Sequence, residues 1–116
     1  LTIHIIREPL PCIASVAFTE STTESYRSEF VEIPSDLLLK RAATSISNWN
    51  ILCQQMNPDY TIKTESLASE LGLILNHHIE DIPPQNTRPH PVIHERLVSS
   101  IDEYWKCLEQ WNDALG

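Results

Sequence analysis

The stretch NHHIEDIPPQNTRPHPVIHE, residues 76–95, gathers the side chains of this chain best suited to chemistry. It holds four of the five histidines and four of the eight prolines. A metal site here would draw on His77, His78, His90, His94 and Glu95, and His90-x-x-x-His94 has the spacing of two ligands on one helical face. Pro91 argues against that geometry. The residue before a proline is pushed out of the α region, so His90 is expected at or before a helix start, with Pro91 in the first helical position. His77 and His78 are sequence neighbours, which a helix turns about 100° apart. The prolines instead read as a stiff connector over residues 82–91. Ten extended residues reach about 31 Å, enough to run back along a preceding helix of about 24 Å.

Nucleophilic chemistry has less support. Cys12, Cys53 and Cys107 are odd in number and far apart, with no C-x-x-C pair. That pattern fits neither a disulfide framework nor a zinc knuckle, and it suits a reducing, intracellular compartment. Glu80-Asp81 and Asp102-Glu103 are adjacent acids and do not resemble two carboxylates flanking a scissile bond. The chain has two glycines, Gly72 and Gly116. Phosphate-cradling loops and nucleophile elbows need glycine where backbone approaches a ligand or takes positive φ, so those enzyme classes are not expected. No cofactor is expected.

The elements that would position these residues divide the chain in two. Residues 2–7, 12–18 and 28–33 are short, apolar and β-branched or aromatic, and they read as strands. Pro9 and Pro11 separate the first from the second. The polar run TESTTESYR, 19–27, separates the second from the third, and its hydroxyls beside glutamates could accept phosphate. Helices are expected over 36–56, 65–80 and 91–114. The first carries the stripe Leu38, Ala42, Ile46, Trp49, Cys53 and Met56. The second is capped by Thr64, and the third would be about 36 Å long. The fold expected is α+β: a small three-stranded antiparallel sheet (1–34) packed against three α-helices (35–116), in a single domain.

Sixteen acids against eight bases leave a formal charge of −8. Nucleic acid and anionic membrane surfaces are poor partners for such a chain. No apolar run is long enough to span a bilayer, and no basic segment precedes an apolar one as in a signal peptide. The chain opens on Leu1 with residues that already read as strand, as an excerpt of a longer protein would. The function expected is non-enzymatic: a subunit or regulator that binds another protein, or a second copy, through its C-terminal helix. Tyr104, Trp105, Leu108, Trp111 and Leu115 would form the contact, rimmed by Asp102, Glu103, Glu109 and Asp113. Two alternatives stand beside it: a small metal-binding protein or enzyme built on His77, His78, His90 and His94, and an acidic inhibitor of a basic partner.

Overall fold

The computed structural model describes residues 1–19, 30, 38–80 and 91–116. These residues form a two-stranded parallel sheet and four α-helices, a mixed α and β architecture that is mostly helix. The antiparallel three-stranded sheet expected from the sequence is therefore replaced. Strand β1, Ile3–Ile6, falls where expected. It pairs with β2, Tyr60–Lys63, in the register Ile3↔Tyr60 through Ile6↔Lys63. Parallel strands need a crossover, usually helical, and here helices α1 and α2 lie between them in the chain. Leu115 then bridges to the other side of β2: its N–H donates to the Thr61 carbonyl and its carbonyl accepts from the Lys63 N–H, both at 2.8 Å.

Residues 12–18, expected as a strand, belong to α1, Pro9–Thr19. The two prolines that read as breakers occupy its first turn, where backbone N–H groups have no partner within the helix. The first such bond runs from Cys12 N–H to Glu8 O, at 3.2 Å. The continuous apolar run CIASVAF fits a buried helix as well as a buried strand. Cys12, Ile13, Ala14, Ser15 and Val16 are all buried. The third expected strand, 28–33, lies outside the described residues except for Phe30, whose ring meets Trp49 edge-on at 6.1 Å.

Helix α2, Leu38–Gln55, matches the first expected helix closely, and its buried face matches in part, with Ala42 buried and Ile46 packed against the core. Leu38 and Met56 are exposed, whereas Ala42, Ala43, Thr44, Ser45, Ser47 and Asn50 are buried. Small side chains let a neighbouring helix approach the backbone itself. Asn57 in the left-handed region and Pro58 close the helix, as a left-handed asparagine followed by proline commonly does.

A 3₁₀ turn, Thr64–Ser66, leads into α3, Leu67–Leu75, so the second helix is shorter than expected. Thr64 is not its cap; its hydroxyl donates to Ile6 O at 3.3 Å, tying the turn to β1. Asn76 takes a left-handed conformation, and its N–H and that of His77 both donate to Gly72 O.

The long third helix is interrupted. A 3₁₀ turn, Glu95–Leu97, and a further turn precede α4, Asp102–Asn112. His94 and Ile101 are extended, with ψ of 145° and 112°. The Ser99 hydroxyl donates to Arg96 O at 3.1 Å, a local bond that competes with helix continuation. The break lets Ile93 and Val98 turn inward to join Ile13, Val16, Ala43 and Tyr104 in the core. At eleven residues α4 is about 16 Å long. Leu115 ties its end to β2. The connector 82–91 lies outside the described residues save for Pro91.

Candidate functional site

The fifth histidine, away from the histidine-proline stretch, organises the polar interior. Alternation along β1 turns His4 and Ile6 inward, and His4 is 8% exposed. Its ring lies between two α2 side chains one turn apart, Asn50 and Gln54. A chain of hydrogen bonds fixes the direction of every donor. The Ser47 carbonyl can only accept, so Gln110 presents its Nε2 there, at 3.1 Å. Gln110 Oε1 then accepts from Asn50 Nδ2 at 2.9 Å, which leaves Asn50 Oδ1 facing His4 Nε2 at 3.3 Å. The imidazole proton therefore sits on Nε2, and Nδ1 accepts from Gln54 Nε2 at 2.8 Å. The second Gln54 hydrogen goes to Thr61 Oγ1 at 2.6 Å. Thr61 is the ladder partner of His4, which places its hydroxyl on this face.

This network requires a neutral imidazole, because a proton on Nδ1 would confront the Gln54 amide hydrogens. Burial pushes the His4 pKa below its ordinary 6.5, only partly offset by the hydrogen bond to Asn50.

Beside the network opens a cleft of ≈ 230 Å³, lined by Ile6, Asn50, Gln54, Thr61, Gln110 and Asp113. Among the described residues no cysteine lines it. Burial pushes the Cys107 thiol up to about 12, and its Sγ donates to Ala43 O at 3.5 Å. Burial also raises Cys53. A protonated thiol is a poor nucleophile. Tyr104 is likewise pushed up to about 12, first by burial and then by its hydrogen bond to Glu95 Oε2, at 2.8 Å.

The histidines of the proline-rich stretch are dispersed. His77 and His78 lie beyond the end of α3, exposed. His94 caps the 3₁₀ turn, its Nδ1 accepting from Arg96 N–H at 3.4 Å, and His90 lies outside the described residues. Among the described residues, no three His, Cys, Asp or Glu side chains are grouped to hold a metal ion. A second, broader concavity of ≈ 520 Å³ runs beside α3. Ala68, Gly72, Leu73, His77, His78 and Ile79 are among the residues that line it. A side chain at Gly72 would approach the His77 carbonyl to 3.0 Å.

The five residues expected as an interface are placed differently from one another. Tyr104 is 1% exposed and belongs to the core, and Leu108 packs against it. Trp105 is 43% exposed, lies edge-on to Tyr104 at 4.9 Å and donates from Nε1 to Ser99 O. Trp111 is half-buried beneath Lys63, whose Nζ sits 4.1 Å from the ring centroid. The Trp111 Nε1 donates to Glu65 Oε2 at 3.4 Å, while Glu65 Oε1 accepts from the Glu8 N–H at 3.0 Å. Leu115 acts through its backbone on β2.

His4, Asn50 and Gln54 were overlooked as a group in the sequence. Two signals were available: a histidine in the inward phase of a strand, and two carboxamides four apart on one helix. No family model matches the chain, and no curated protein or solved structure shows significant similarity to it. Among the described residues no helix is long and apolar enough to cross a membrane.

Proposed function

We propose that this protein is a non-enzymatic interaction module whose partner covers helix α3. The observation that carries this reading is that α3, LASELGLIL, is strongly apolar yet has no fully buried residue: Leu67, Ala68, Leu71 and Ile74 are half-buried, and two of its leucines face solvent. Leu73 is 77% exposed and Leu75 52%. A nine-residue helix is too short to be stable in water without packing on an apolar face. Among the described residues its main neighbours are β2 and the 3₁₀ turn before it. Covering leucines of this kind contributes about 1.5–3 kcal/mol each, which is the scale of an interface anchor.

The charge of the chain selects among partners. Glu65, Glu70 and Glu80 flank this surface in sequence, within a protein of formal charge −8. A second copy would bring like charge against like, whereas a partner with an apolar face edged by Lys and Arg is complementary. Trp105 on α4 is a second exposed anchor of the kind found at interfaces.

Affinity capture with the wild-type chain and with Leu73→Glu tests the reading. Loss of a stoichiometric, basic partner with the variant is expected, with the far-ultraviolet dichroism unchanged. Trp105→Ala in parallel separates the two surfaces. Undiminished capture by Leu73→Glu would remove α3 from the interface. Binding that vanishes with modest salt and ignores Leu73 would favour an acidic inhibitor that acts by charge alone.

A further inference from the structure

The carboxamide cleft beside His4 has the chemistry of a ligand site, separate from α3. We infer that it binds a cationic hydrogen-bond donor, a guanidinium or primary ammonium carried on a short apolar stem. The inference rests on which valences the network leaves open. Both Gln54 amide hydrogens are committed, to His4 Nδ1 and to Thr61 Oγ1, so Gln54 Oε1 remains as an acceptor. Asp113, at the C-terminal end of α4, also lines the cleft, and among the described residues no cationic side chain does. The C-terminal end of a helix adds partial negative charge.

Order is built in as well. Asn50, 7% exposed, lines the cleft and is held from both sides, by His4 and by Gln110. Polar groups fixed in advance by their neighbours bind with little loss of side-chain freedom. Ile6 supplies the apolar surface that a methylene stem would cover. A volume of ≈ 230 Å³ fits a group of side-chain size better than a drug-sized cofactor. The cation could come from a free small amine or from a Lys or Arg side chain of another protein; the chemistry of recognition is the same.

The test is a heteronuclear NMR titration of the full chain with n-butylammonium and n-butylguanidinium, with neutral butyramide as control. Saturable shifts are expected in the side-chain amide signals of Asn50, Gln54 and Gln110 with a cation and not with butyramide. Asp113→Asn should weaken binding about tenfold, the scale of one charge-assisted hydrogen bond. Glu109→Gln, an exposed acid on the same helix that does not line the cleft, should change it less than about twofold. A capped tripeptide with central Arg, set against the same peptide with citrulline, assigns the source. Tighter binding than n-butylguanidinium indicates a protein-borne side chain, and equal or weaker binding a free cation. Failure of both cations to saturate, equal binding of butyramide, or equal weakening by the two variants would overturn the inference. None of these outcomes depends on α3, so the two proposals fail independently.

Discussion

At the scale of single residues, His4 couples the interior to solution pH. The neutral ring is the only form that accepts from Gln54 while donating to Asn50. Its folded-state pKa is lowered, so between that value and the ordinary 6.5 the unfolded chain binds more protons than the folded one. Stability is fully present above 6.5 and falls as pH drops toward the folded value. Urea midpoints between about pH 7 and pH 5 should therefore decline more steeply in the wild type than in His4→Gln, which has no titrating ring. Parallel pH profiles would show that the imidazole is not the group responsible. Ser47 carries a different lesson. Its carbonyl orients the whole network, while its buried Oγ has no hydrogen-bond partner among the described residues. The small side chain at 47 leaves the α2 carbonyl open to Gln110 of α4.

At the scale of elements, α1 shows how the position of a proline decides its meaning. Pro9 and Pro11 fall where a helix has no use for N–H donors, and a proline there restricts the unfolded chain. Pro11→Ala should therefore lower stability slightly, by about 0.5 kcal/mol in chemical denaturation. If Pro11 strained the helix as an interior proline does, the substitution would raise stability by up to about 3 kcal/mol. The 91–114 segment teaches the converse. Its apolar spacing is helical, yet the extended backbone at His94 and Ile101 splits it. Ile93 and Val98, on either side of the 3₁₀ turn, join the core. Helical periodicity locates candidate core residues; it does not require that one continuous helix deliver them.

At the scale of the whole molecule, the fold closes through contacts distant in sequence. Thr2 N–H donates to Asp59 Oδ2 at 2.7 Å across 57 positions, and Leu115 brings the last residues onto the same sheet. Leu115→Pro removes the N–H that bonds Thr61 O, and should destabilise the protein by roughly 1–3 kcal/mol. Leu115→Ala keeps that bond and trims a side chain that is 43% exposed, so it should cost less than the proline. Equal losses for the two, measured by thermal unfolding, would mean that the side chain and not the ladder holds the terminus. The residue pattern by itself determined strand β1, the extent of α2 and the acidic balance, because each depends on local periodicity or on composition. Only the tertiary structure decided that 9–19 is helical, that YTIK pairs in parallel with β1, and that His4 meets Asn50, Gln54 and Thr61. The physical reason is that a parallel ladder and a buried carboxamide network are specified by partners more than forty positions away, which no local window contains.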